Sequence, residues 1–311
     1  MIAELFSKVK LEALHRRPYT TRIVAITGGK GGVGKSTVAV NIAAALTARG
    51  YSVALVDTDV EAPNDNILLS LSLDDRVYVQ VAMPIAETNL CAQCGNCIAA
   101  CRRNALFLPP GQTPILMGEC NGCKACINAC PTGALVTGWM PVGETFRSES
   151  GELTLFTGVV QPGREESTVI IQALKDRLAS EADRYDVIIV DTVPGVDCTV
   201  IAALAGATSA YAVTEPTPVG MHDLERIIEL CRILDIPTQI VLNRSDLGEW
   251  RGRLESYKAG TEIPLAASIA YDSVLLQSYI KGMPVTQMSP NSSSARIFAD
   301  LAIRIEKEFL R

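Results

Sequence analysis

Histidine is nearly missing from this 311-residue chain, which has only His15 and His222. That scarcity leaves no Ser–His–Asp constellation for nucleophilic catalysis, and both histidines read as polar surface or capping residues. Aromatic side chains are also sparse, at 5%, while hydrophobic residues make up 48%. A core built from Ala, Val, Ile and Leu suits an α/β fold on a buried parallel sheet. Positive charge is not in excess: 28 Lys and Arg stand against 34 Asp and Glu, a net −6. That balance implies no general attraction to nucleic acid or to an anionic membrane. No apolar run is long enough to span a bilayer. The opening "MIAELFSKVKLEALHRRPY" lacks the continuous apolar stretch of a signal peptide, so a cytoplasmic address is expected. There thiols stay reduced, and clustered cysteines hold metals more often than they form disulfides.

Within that opening, Ile2, Leu5, Phe6 and Val9 can share one side of a helix, with Lys8, Lys10 and Arg16 elsewhere. Such a strip packs on its own domain; a membrane-surface or partner helix is the sharper reading. Residues 21–27, "TRIVAIT", form an apolar run that predicts a strand. "KSTVAVNIAAALTARG" then has helical spacing and stops at Gly50, and "YSVALVD" closes the next strand at Asp57. This is a βαβ unit with the usual right-handed crossover. The texture returns in "YDVIIVD" (185–191), "AYAVTE" (210–215) and "PTQIVLN" (237–243), with a helix at 222–234 and a last one in "SARIFADLAIRIEKEFL". Together they predict a doubly wound, mostly parallel sheet. Residues 85–138 break the pattern, so 1–84 plus 139–311 read as one split domain around an insertion.

"GGKGGVGKST" (28–37) contains Gly29-x4-Gly34-Lys35-Ser36 between a strand and a helix, the P-loop pattern. Its glycines let the backbone N–H groups curl toward phosphate oxygens. Lys35 reaches the β- and γ-phosphates, and the Ser36 hydroxyl meets Mg²⁺.

The insertion holds eight of the ten cysteines in two runs of identical spacing. Cys91-x2-Cys94-x2-Cys97-x3-Cys101 and Cys120-x2-Cys123-x2-Cys126-x3-Cys130-Pro131 match the bacterial ferredoxin run, whose fourth cysteine ligates the other cluster. One [4Fe–4S] cluster is thus assigned to Cys91, Cys94, Cys97 and Cys130. The other takes Cys101, Cys120, Cys123 and Cys126. Zinc is the alternative, since paired C-x-x-C units make tetrahedral sites, but zinc does not explain the regular third and fourth spacings. Arg102 stands where the first run would usually have proline. Small residues (Ala92, Gly95, Ala99, Ala100, Gly122, Ala125, Ala129) leave room for bulky cubanes near the backbone. Cys198 and Cys231 are left over and read as buried, inert thiols.

"KGGVGKS" resembles the deviant Walker A motif of the MinD/ParA ATPase superfamily, and the whole pattern resembles its members with an inserted two-cluster ferredoxin domain. The resemblance implies ATP or ADP held with Mg²⁺ by the loop residues Gly29, Lys30, Gly31, Gly32, Val33, Gly34, Lys35, Ser36 and Thr37. It implies that Lys30 crosses a dimer interface to the partner's phosphates, so the working form is a homodimer or a pairing with a similar subunit. "LVDTDVEAPN" resembles switch I, with Asp57 near the Mg²⁺ shell, Asp59 orienting or deprotonating the attacking water, and Asn64 at the dimer face. "VIIVDTVPG" resembles Walker B and switch II, with Asp191 holding Mg²⁺ through water and Gly195 offering its N–H to the γ-phosphate, although Val193 departs from the family pattern. "TEPTP" (214–218) and "LNRSD" (242–246) resemble adenine-holding segments, with Asn243 either at the base edge or capping its strand. Cys198 lies at a distance past Asp191 similar to a cluster-binding cysteine of the nitrogenase iron protein. Three functions follow from the likeness. The first is an ATP-gated electron carrier acting on a redox or cluster-bearing partner protein. The second is an iron–sulfur or metal-cluster assembly or carrier factor. The third is a MinD- or ParA-like spatial organiser with a redox-sensing insert.

Overall fold

The computed structural model describes residues 20–118, 120–247 and 263–310. The leader, with its suggested amphipathic helix, lies outside the described residues. The chain divides into two compact units. The first comprises Met1–Val77, Glu144–Val160 and Glu165–Arg311; the second comprises Tyr78–Gly143 and Gln161–Arg164.

The first unit opens with β1 (Arg22–Thr27), α1 (Lys35–Thr47), β2 (Val53–Asp57) and the short α2 (Asp65–Leu68). Helix α1 is so rich in alanine that ten of its residues are buried, and its chain turns back at Gly50, where φ is +90°. A left-handed backbone of that kind suits glycine, which has no Cβ to clash. Beginning at Val77 and lying otherwise in the second unit is β3 (Val77–Ala86). That unit also holds α3 (Asn96–Ala100), β4 (Leu106–Phe107), β5 (Ile115–Leu116) and α4 (Ala125–Asn128). The chain returns along β6 (Leu135–Ser150), turns at Gly151 and Glu152, and continues as β7 (Leu153–Val160).

The rest of the first unit alternates helix and strand. It runs α5 (Ser167–Ala179), β8 (Val187–Asp191), α6 (Cys198–Leu204), β9 (Ser209–Thr214), α7 (Pro218–Ile233) and β10 (Thr238–Asn243). After β11 (Leu265–Ile269) come α8 (Ser273–Lys281), α9 (Val285–Met288) and α10 (Ser293–Ile305). Strand β1 sits centrally and pairs in parallel with β8 and β9. Strand β2 pairs in parallel with β8 and β7, and β10 with β9 and β11. The order across the sheet is β11-β10-β9-β1-β8-β2-β7-β6. Residues of β1, β2 and β8 are almost wholly buried, as expected for aliphatic strands covered on both faces. Helices α1 and α10 pack together over one face, joined in the core by Ile42, Leu46, Phe298 and Leu301. Local chemistry starts the later helices. Thr217 accepts the Gly220 N–H ahead of Pro218, and Ser292 accepts the Ala295 N–H.

In the second unit, β3 lies beside β6, with Gly138 against Ile85. Two short helices, α3 and α4, pack on each other, and β4 pairs antiparallel with β5. The repeat seen in sequence recurs in the backbone. Gln93 and Gly95 have φ of 55° and 73°, and Gly122 and Lys124, at the same places in the second run, have 69° and 60°. Cys97, Leu106, Cys126 and Leu135 form its small core. Among the described residues no helix is long and apolar enough to cross a membrane.

Phe298 is fully buried between α10 and its neighbours. Replacing it with alanine should destabilise the first unit by about 3–5 kcal/mol, read by urea unfolding; a loss below about 1 kcal/mol would mean that this helix is not part of the core.

Candidate functional site

The P-loop hangs between β1 and α1. Gly32 and Gly34 take φ of 78° and 100°, conformations that favour glycine. Gly28 and Gly29 are needed for space instead. A Cβ on Gly28 would lie 2.7 Å from the Val213 carbonyl oxygen, and one on Gly29 2.6 Å from that of Asp223. A Cβ on Gly34 would collide with the Asn243 amide. The open N–H groups at the start of α1 make this end of the helix a ready phosphate cradle. Lys35 is 6% exposed, and its Nζ donates to the Lys30 carbonyl at 3.3 Å. Burial pushes its pKa down, against the pull of Asp191 and Asp59.

Sheet register sets the acidic floor. Asp57 at the end of β2 pairs with Asp191 at the end of β8. Asp57 accepts three backbone N–H groups, from Asp59 at 3.0 Å, Asn64 at 3.0 Å and Asp65 at 3.2 Å. Those bonds fold residues 59–65 around its carboxylate. Burial raises its pKa to about 6 despite the three donors. Asp191 rises to about 8 through burial and then the charge of Asp57, opposed by the Ser36 hydroxyl and by Lys35. Asp65 is also buried, and burial together with Asp57 and Asp191 pushes it well above the carboxylate range. Asp65 belongs to no motif in the sequence. An acid heading the apolar run "ILLSL" was its only signal.

Above this floor a cavity of about 410 Å³ is lined by Gly31, Gly32, Gly34, Lys35, Ser36, Thr37, Asp59 and Asn64 from the loop side. Tyr271, Leu275, Leu276 and Tyr279 form an apolar wall after β11, a strand the sequence reading left out. Asn243 and Arg244 also line it. The remaining expected residues lie around the cavity. Val33 is buried beneath the loop, Gly29 lies against Asp223, and Gly195 donates its N–H to the Gly28 carbonyl at 3.3 Å with φ at 114°. Lys30 is paired with Glu215 at 3.0 Å, and Arg244 holds the other oxygen of Glu215 at 2.9 Å. The Asn243 amide donates to the Val33 carbonyl at 2.8 Å while its oxygen accepts the Arg244 N–H at 2.9 Å. That side chain is braced between strand end and loop.

The eight thiols of the second unit gather in two sets of four. Cys101, Cys120, Cys123 and Cys126 line a cavity of about 270 Å³. Cys91, Cys94, Cys97 and Cys130 line another of about 20 Å³. Both sets join three cysteines of one run to the fourth of the other. Burial pushes the Cys97 and Cys126 thiols up. At Cys101 and Cys130 burial works the same way, but backbone N–H groups outweigh it and hold both thiols below their ordinary value. The Ala105 N–H to the Cys101 sulfur, at 3.3 Å, is one such donor. Four thiols lining one pocket, with an N–H donor to one sulfur, are a donor set chemically compatible with a cubane cluster. Of the leftover cysteines, Cys231 is buried in α7 as expected, whereas Cys198, expected to be buried, is exposed because it opens the first turn of α6.

A family model, the CobQ/CobB/MinD/ParA nucleotide binding domain, matches residues 24–285. The chain belongs to that family. An uncharacterized protein of Methanocaldococcus jannaschii is 33% identical over 264 residues, 84% of this chain and 90% of that protein. The iron-sulfur cluster carrier protein of Aquifex aeolicus is 24% identical over 302 residues, 92% of this chain and 67% of that protein. Among solved structures, the septum site-determining protein MinD of Pyrococcus horikoshii complexed with Mg-ADP has the same fold. Its TM-score is 0.59 at 20% identity, covering 93% of this chain and 97% of that one.

Gly34→Val tests the loop. It should leave the circular dichroism spectrum unchanged and weaken Mg-ATP binding at least about tenfold by calorimetry, a loss of about 1.4 kcal/mol. Unchanged affinity would place the nucleotide elsewhere.

Proposed function

We propose that this chain is an ATP-hydrolysing iron–sulfur protein in which nucleotide state gates electron transfer with a partner protein. The observation that carries this reading is the presence, in one chain, of a P-loop pocket and two complete four-thiol sets. In this reading residues 85–138 are an inserted ferredoxin-type domain, and two resident [4Fe–4S] clusters supply one-electron redox chemistry when bound. Lys35 and the loop N–H groups hold the phosphates, the Ser36 hydroxyl meets Mg²⁺, and Asp57 and Asp191 orient that ion's surroundings. Asp59, on the cavity wall, positions the attacking water. Catalysis of this kind works by positioning and charge neutralisation, without a covalent intermediate. Lys30 acts across a dimer of this chain or of this chain with a similar subunit, and its bond to Glu215 has to open for that reach.

The similarity to an iron-sulfur cluster carrier protein favours a second reading, in which the clusters are cargo. The two differ in lability. A resident cluster held by four cysteines stays put when an apo-ferredoxin is added, whereas cargo moves.

Anaerobic purification tests the proposal. The wild-type chain should carry eight irons and hydrolyse ATP only with Mg²⁺, and Lys35→Ala should lower turnover at least about a hundredfold. Cys126→Ser should bring the iron count to about half while ATP binding persists. Fewer than four irons in the wild type, or turnover indifferent to Lys35, would contradict it. Transfer of iron to an apo-ferredoxin would favour the carrier reading.

A further inference from the structure

Beneath the P-loop, the carboxylates of Asp57, Asp65 and Asp191 converge, with one oxygen from each within 4.8 Å of the others. All three residues are buried, at 1%, 0% and 1% exposure. Their hydrogen bonding is unequal. Asp57 is met by three backbone N–H groups, and the nearby Ser36 hydroxyl favours the charged form of Asp191. Asp191 Oδ1 and both oxygens of Asp65 have no partner. A buried carboxylate without a donor or a counter-charge is expensive, and three side by side repel one another as well. The cation that faces them is Lys35, which acts on Asp191 and Asp59 and which the nucleotide phosphates also require. Phosphate recognition therefore leaves Asp65 without a role.

We propose that Asp65 completes a three-carboxylate site for a hard divalent cation, Mg²⁺ or Mn²⁺, which this chain binds before any nucleotide arrives. Hard cations take oxygen ligands, and carboxylates from a strand end, a neighbouring strand end and a first helical turn supply three of them. Each oxygen left without a partner is then a ligand, and water fills the remaining positions. The cation adjoins Ser36 through Asp191, so the floor of the pocket is charged in advance of phosphate binding. The proposal stands whether or not the chain hydrolyses ATP.

Titrating the nucleotide-free, cluster-loaded protein with Mn²⁺ and following the free-ion EPR signal tests it. One equivalent should bind to the wild type, and Asp65→Asn should weaken that binding at least about tenfold, since a hard ion loses an anionic ligand. Mg-ATP affinity measured on the same variant separates loss of this site from loss of the nucleotide site. A second readout needs no variant: millimolar Mg²⁺ without nucleotide should raise the wild-type Tm. In metal-free buffer Asp65→Asn should melt above the wild type, because it replaces a buried carboxyl group that Asp57 and Asp191 disfavour. No uptake of Mn²⁺ by the wild type, equal uptake by the variant, or a wild-type Tm indifferent to Mg²⁺ would each overturn the proposal.

Discussion

Strands β2 and β8 lie side by side with Asp57 opposite Asp191, so two carboxylates reach the dry floor of the P-loop at one level. The loop, the first turn of α1 and residues 59–65 are arranged around that negative floor. Asp57 folds the 59–65 segment through three N–H donors, and Ser36 and Lys35 answer Asp191 from above. The Asp57 pairing and the buried Val60 together keep the loop following β2 compact. The charges that hold the pocket together are those that, in the proposed function, a metal and phosphates would use. Such a floor is stable only as part of a balanced set, and any ligand that changes the balance changes the loops bonded to it.

The central sheet was legible because its strands are fully covered and read as unbroken aliphatic runs ending in polar residues. The P-loop was legible because the curl of backbone it needs demands glycine at fixed places. Strand β6 was not legible, because polar and apolar residues mix in "GETFRSES", and β7 is announced only by the short "LTLF". The apolar wall of Tyr271, Leu275, Leu276 and Tyr279 depends on β11 delivering the chain back to the pocket, and no local motif announces it. Asp65 escaped for a related reason. Its importance lies in what surrounds it in space, and in sequence it is one acid beside asparagines. Asn243 keeps both of its readings, since its amide braces the loop at Val33 while the residue also lines the cavity.

The second unit shows how far a repeat can be read. Identical spacing in the two cysteine runs becomes a similar backbone, with left-handed residues at matching places and helices α3 and α4 beginning at matching residues. The buried third cysteines have raised thiols, and the fourth cysteines are met by N–H donors. Each set of four crosses from one run to the other, so both sites depend on one local pairing of helices. Damage to one run removes thiols from both sets.

The central claim is that redox centres and a nucleotide switch in one chain bias each other. The most direct measurement is an EPR-monitored redox titration of the anaerobic, iron-loaded dimer in the presence of Mg-ATP, Mg-ADP and neither. Coupling predicts that at least one cluster shifts its midpoint by about 60 mV or more between nucleotide states, a tenfold change for a one-electron couple. Identical potentials in all three conditions, in protein shown to bind both nucleotides, would contradict it.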